Sequence, residues 1–313
     1  MNGSLTPRTD LPATLLRDRT LGRASIRFLM GQVTTGMEGL NPRDVVLMLA
    51  INQANIAPLT RDPAARQRYG ALEAPAPDAE RRPVSINAIA ASLRTPFETV
   101  RRHIHRMEAL GVCVTSKDGV VVPQSFLSSP GYLRSVLESH QGLCEFYYGA
   151  RGDGLLGHLP ASNFPWDGEV PIRAAARLLS DYLLRTSELV MAGIADDVVS
   201  MLVLCGVLDA SLDRLVNGPA DAPYKGVGIA ALSRRLQIPD ETLRRHAERL
   251  IDQGRLARFG RELVVTEEIV SGPVMAEFLR QNTINVRRLF TGLAERGVIE
   301  AWDRIGAAQR IRA

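Results

Sequence analysis

The chain matches itself. Residues 84–123 align with 227–266 without a gap, and fourteen of those forty positions are identical. The densest stretch, Pro96-Phe97-Glu98-Thr99-Val100-Arg101-Arg102-His103, meets Pro239-Asp240-Glu241-Thr242-Leu243-Arg244-Arg245-His246. Arg106 then pairs with Arg249, Gly111 with Gly254, and Val121-Val122 with Val264-Val265. A weaker match upstream sets 44–49 against 197–202, at an offset about ten residues longer. The extra residues fall in 59–83, rich in Ala, Pro, Arg and Asp, which reads as a mobile loop. Residues 149–171 are punctuated by Gly and Pro and read as a linker. The expected division is a flexible N-terminal segment (1–20), a first repeat (21–148), the linker (149–171) and a second repeat (172–313).

Each strong block spells a helix, a tight turn, a second helix and a hairpin. In the first copy Ile86, Ile89, Ala90 and Leu93 recur at helical spacing behind a Ser85 N-cap. Thr95-Pro96-Phe97-Glu98 then reads as a capping box with Pro at the first helical position. The second helix is expected to bury Val100, Ile104, Met107 and Leu110 and to stop at Gly111. Residues 112–116 and 120–122 form a hairpin around Lys117-Asp118-Gly119. The second copy repeats this with Ile229, Leu232 and Leu236, then Leu243, Ala247 and Leu250, and a hairpin around Phe259-Gly260-Arg261-Glu262. Ile238 stands where the first copy has Thr95, so the second copy lacks that side-chain cap.

Composition narrows the class. With 45% hydrophobic and 23% charged residues among 313, collagen-like, mainly disordered and disulfide-scaffold chains are excluded. The most apolar run, 198–208, is eleven residues closed by Asp197 and Asp209. A membrane span needs about 20, so this is a buried core helix. No secretory signal is read at the start, and Cys113, Cys144 and Cys205 are scattered and odd in number, which together suit a cytoplasmic protein with reduced thiols. Net charge is only +4, but it is lopsided. Lys117 and Lys225 are the only lysines among 38 cations; a GC-rich genome or the fit of Arg to phosphate and guanine would each account for this. Residues 81–123 hold seven cations and three anions, and 225–266 hold nine and five, so each block is +4 and the remainder of the chain is −4.

The pattern Pro-x-Glu-Thr-Val/Leu-Arg-Arg-His-x-x-Arg, followed by Gly and a hairpin, resembles the recognition helix and wing of winged helix-turn-helix bacterial transcriptional regulators. The resemblance covers 85 of the 313 residues, in two copies. It implies a mainly α protein with small β-hairpin wings: two tandem winged helix-turn-helix units (cores 81–123 and 225–266) with flanking helices. It further implies sequence-specific binding of double-stranded DNA in transcriptional control. With the apolar face buried, the outward stripe is Glu98, Arg101, Arg102, His105 and Arg106 in one copy and Glu241, Arg244, Arg245, Glu248 and Arg249 in the other. The residues this assigns to DNA are Thr99, Arg101, Arg102, His105, Arg106, Thr242, Arg244, Arg245 and Arg249 on the helices, and Lys117, Arg255, Arg258 and Arg261 on the hairpins. The second wing is the more basic and is expected to add more non-specific affinity. Units related by a pseudo-twofold would read half-sites about 10 base pairs apart. Plasmid replication initiators also resemble paired winged helices. So do winged-helix protein-interaction modules of chromosome-segregation complexes, where the outward face need not be basic.

Other residues carry weaker signals. Glu98 and Glu241 could accept from cytosine, though capping a helix start explains them as well. His103 and His246 edge the buried face and suit packing or phosphate contact better than metal binding. His103 and His105, two apart on a helix, diverge and cannot chelate one ion. The run from Gly149 to Gly154 lacks the Lys-Ser/Thr ending of a nucleotide loop. Tyr147, Tyr148, Phe164 and Trp166 are read as helix-packing aromatics before a ligand pocket. No catalytic motif, metal-ligand set or cofactor signature is found, and the expectation is a non-enzyme with no cofactor. The flanking apolar helices, around 26–56 and 172–215, should pack together within one chain or across a homodimer. Any small-molecule effector would have to sit between them.

Overall fold

The computed structural model describes residues 13–37, 39–165, 168–217 and 226–312. It is mainly helical, with two small antiparallel hairpins. The first repeat comprises α1 (Ala13–Thr35), α2 (Pro42–Ile56), α3 (Pro63–Arg68), α4 (Ile86–Ser92), α5 (Phe97–Ala109), β1 (Val114–Ser116), β2 (Gly119–Val121), α6 (Gln124–Leu127) and α7 (Pro130–Gly152). The second follows the same order, with no counterpart of α3 among the described residues: α8 (Ile172–Gly193), α9 (Val198–Asn217), α10 (Ile229–Leu236), α11 (Asp240–Asp252), β3 (Leu256–Phe259), β4 (Glu262–Val265), α12 (Glu267–Ser271) and α13 (Pro273–Glu295). It ends in α14 (Val298–Arg312).

Local chemistry repeats with the sequence. Ser85 caps α4 by accepting from the Ala88 N–H, as its position suggested. Both turns into the second helix pass through a left-handed residue, Arg94 (φ 47°) and its equivalent Gln237 (φ 52°). Thr95 does not cap α5. Its hydroxyl donates to the Leu93 carbonyl, and Pro96 and Pro239 are the N-caps, neither with a side-chain bond. The two copies are therefore alike where the Ile238 replacement suggested a difference. Gly111 and Gly254, both at φ 71°, end α5 and α11; the next residues, Val112 and Arg255, donate back to the carbonyls of Met107 and Leu250. Leu110, expected in the core, is the C-cap of α5 and half exposed, because the chain turns there before Gly111.

Behind each hairpin a third strand position closes a small sheet. Val84 exchanges backbone hydrogen bonds with Val120, and Val227 with Leu263. Gly119 (φ 130°) allows the first closure, since a Cβ there would sit 2.6 Å from the Val84 carbonyl oxygen. Buried Asn55 on α2 adds a clamp: its amide donates to the carbonyls of Arg82 and Val120, and its oxygen accepts from Val122.

The two repeats do not fold apart. A single apolar core runs from Ile26 and Met30 in α1 through Val100, Ile104 and Met107 to α9, Leu243, Leu250 and Phe278. The first helix of each repeat crosses to the other: α1 packs on α9 and α10 as well as α7 and α13, and α8 packs on α2. The flanking helices thus meet within one chain. The most apolar run forms the front of α9, where residues such as Leu202, Val203 and Leu204 are fully buried. No single helix among the described residues is long and apolar enough to cross a membrane.

Three boundaries move. Helix α1 begins at Ala13, inside the segment read as flexible, because Leu21, Ile26 and Phe28 anchor it against α7 and α13. Helix α7 continues to Gly152, so the linker starts at Asp153. The segment read as a mobile loop contains α3 and a 3-10 turn, Asp78–Glu80, around a small cluster of Ala65, Tyr69 and Ala76. Lys225, at the edge of the second core block, and Trp166 lie outside the described residues.

Candidate nucleic-acid interface

Helices α5 and α11 each bury one face and expose the other. Val100, Ile104 and Met107 are at most 1% exposed, as are Leu243, Ala247 and Leu250. Burying each larger side chain contributes about 1.5–3 kcal/mol, enough to fix the rotation of the helix and hence the direction of its polar stripe. Arg101, Arg102, His105 and Arg106 are exposed on α5, and Arg244, Arg245 and Arg249 on α11; Thr99 and Thr242 are partly covered.

A buried polar triad sets each helix against the start of α2 or α9. In the first repeat the Arg43 guanidinium donates to His103 Nε2 (3.3 Å), and His103 Nδ1 donates to Asp44 Oδ1 (2.6 Å). Because arginine only donates and carboxylate only accepts, this chain fixes the Nδ1–H tautomer of His103. Asp44 is fully buried, and Arg106 approaches its second oxygen at 3.6 Å. In the second repeat His246 Nδ1 lies 2.9 Å from Ser200 Oγ and 3.3 Å from Asp197 Oδ2, while Arg249 donates to the same carboxylate at 3.1 Å. Burial raises the Asp197 pKa, but hydrogen bonds from His246 and Ser200 outweigh it and hold the carboxyl well below its ordinary range. Both histidines are thus packing groups. Among the described residues no set of His, Cys, Asp and Glu could hold a metal ion.

The assigned arginines divide by their partners. Arg106 and Arg249 face carboxylates of their own fold. Arg101 pairs with Glu98 at 2.8 Å and Arg244 with Glu241 at 3.8 Å, both in solvent, where such pairs exchange readily; His105 lies 3.8 Å from Glu108. Arg255 donates to Asp196 at 3.3 Å, and Arg258 pairs with Glu248. The second hairpin's excess charge is therefore largely matched within the protein, and its basic composition overstates its free charge. Arg102, Arg245, Lys117 and Arg261 form no ion pair with a described carboxylate. Each unit keeps one such cation on its helix and one on its hairpin.

Arg43 is the residue that sequence reading missed. Burial lowers its pKa. Asp197 opposes this, and Arg102, Asp44 and Arg245 act on it in turn, so it sits among charges from both repeats. Aromatic exposure adds two further surface groups: Phe259 at the tip of the second hairpin is 64% exposed, and Phe97 opens α5. Tyr147 packs against Phe290 and Trp302, as helix-packing aromatics do, whereas Phe164 lies on a cavity wall.

Comparison with known proteins gives no match: no family model, no curated protein and no solved structure is similar to the chain.

Proposed function

We propose that the protein is a cytoplasmic, sequence-specific binder of double-stranded DNA, acting as a bacterial-type transcriptional regulator through two winged-helix units. The observation that carries this reading is the pair Arg102 and Arg245. They hold equivalent positions on α5 and α11, form no ion pair with a carboxylate among the described residues, and both act on Arg43 through their charge. A helix of this diameter enters the major groove, where an arginine fork pairs with guanine O6 and N7. Lys117 and Arg261 then reach the phosphates or minor groove beside it, while Arg43 holds backbone between the helices. Arg106 and Arg249 act mainly by orienting their helices.

The test is selection from a random duplex library with the full chain at two salt concentrations. The expected result is one enriched motif with two subsites. Weak, unenriched binding that vanishes with salt would reduce the interaction to phosphate attraction and overturn the proposal.

A further inference from the structure

A cavity of about 980 Å³ opens on the flank formed by α8, α13, the α3 segment and the start of α14. Its size is that of a small-molecule site. The lining is unusual in charge. Among the described residues it carries six arginines against four carboxylates, and one of those carboxylates, Asp181, is already taken by Arg185 at 2.9 Å.

Three of the arginines are partly buried and meet no described carboxylate. Arg177 donates to the Tyr69 carbonyl, and Arg296 to the Gly292 carbonyl, so each is satisfied only by a neutral acceptor. The Arg66 Nε–H is buried and has no hydrogen-bond partner among the described residues. Burial, with the charges of Arg173 and Arg81, pushes the Arg177 pKa down to about 10; burial and Arg66 lower that of Arg296 against the weaker pull of Glu295. Like charges held together out of water are costly unless an anion joins them. Beside them Phe164 and Leu178 supply an apolar wall.

We propose that this cavity binds a phosphorylated small organic molecule, its phosphate dianion held by Arg66, Arg177 and Arg296 and its organic body against Phe164 and Leu178. The lining's excess of two positive charges matches a phosphomonoester, and the planar guanidinium fork fits phosphate oxygens two at a time. The inference goes beyond the DNA reading and stands on the cavity alone. Its walls come from both repeats, so an occupant bears on how they pack.

Calorimetric titration of the full chain at fixed ionic strength tests it, using phenyl phosphate, inorganic phosphate and phenol as probes. The expected result is one phenyl phosphate per chain, weaker binding of inorganic phosphate and none of phenol. Arg66→Gln and Arg296→Gln should each weaken phenyl phosphate at least ten-fold. In the unaltered protein, phenyl phosphate should protect Arg66, Arg177 and Arg296 from phenylglyoxal modification read by mass spectrometry, which needs no variant to fold. Phenol binding as tightly as phenyl phosphate, absence of saturable phenyl phosphate binding, or no protection of these arginines would overturn the proposal.

Discussion

His103 Nδ1 donates to Asp44 Oδ1 at 2.6 Å, joining the face of α5 to the first turn of α2 across 59 residues of sequence. The same junction recurs at His246 and Asp197, with Ser200 inserted beside it. These two contacts, buried at Asp44 and partly covered at Asp197, fix the outward arginine stripes relative to the rest of the fold. Removing one partner strands a carboxylate, and for Asp44 that carboxylate is fully buried. His103→Ala should therefore destabilise the protein by about 3–5 kcal/mol in urea unfolding. A loss under about 1 kcal/mol would mean the junction is incidental.

The second junction gives a pH dependence. Asp197 has a folded-state pKa below its ordinary value of ~3.9, so its stabilisation is present above that value and disappears as pH falls through it toward the folded pKa. Urea midpoints of the wild type should decline steeply below about pH 4, and Asp197→Asn should flatten that decline while lowering stability at pH 7. Identical acid slopes for both proteins would remove Asp197 from the account.

Glycine positions offer a graded test of the hairpin. At Gly119 an added Cβ meets the Val84 backbone at 2.6 Å and φ is 130°, so Gly119→Ala should cost about 2–4 kcal/mol. At Gly111 the space is open and only the left-handed backbone is strained, so Gly111→Ala should cost about 1 kcal/mol. Thermal denaturation of the pair should preserve this order; the reverse order would show that the Val84–Val120 closure is not what fixes the hairpin.

Much of the local fold was legible because duplication displays each constraint twice. The boundaries of α4, α5, α10 and α11, their buried faces and both hairpins follow from aligned apolar and glycine positions. Leu110 fits the apolar spacing yet lies at the surface, and its repeat partner, the polar Gln253, is the mismatch that signals this. The aligned pairs Asp44/Asp197 and His103/His246 were visible, but their contact was not, since spacing along one helix says nothing about which other helix it meets. The crossing of α1 and α8 between repeats depends on tertiary packing alone. For the same reason Arg43 escaped notice, as did the convergence of Arg66, Arg177 and Arg296 from three separate elements. Partners also reshaped the candidate site: Arg255 and Arg258 count as basic in composition yet face Asp196 and Glu248.

Division of labour along the helices follows from those partners. Arg106→Ala and Arg249→Ala should reduce stability by about 1 kcal/mol each and weaken DNA binding evenly across sequences, through loss of charge and helix orientation. Measured affinities for several duplexes should fall by a common factor. Loss confined to one base-pair position would make these arginines direct readers.

The most direct measurement is the affinity of Arg102→Ala/Arg245→Ala for the selected duplex and for an unrelated duplex at one salt concentration. With each guanine contact contributing about 1–3 kcal/mol, affinity for the selected duplex should fall at least 30-fold, while binding to the unrelated duplex falls far less. Undiminished preference for the selected duplex in this variant would contradict the claim that the paired helices read DNA.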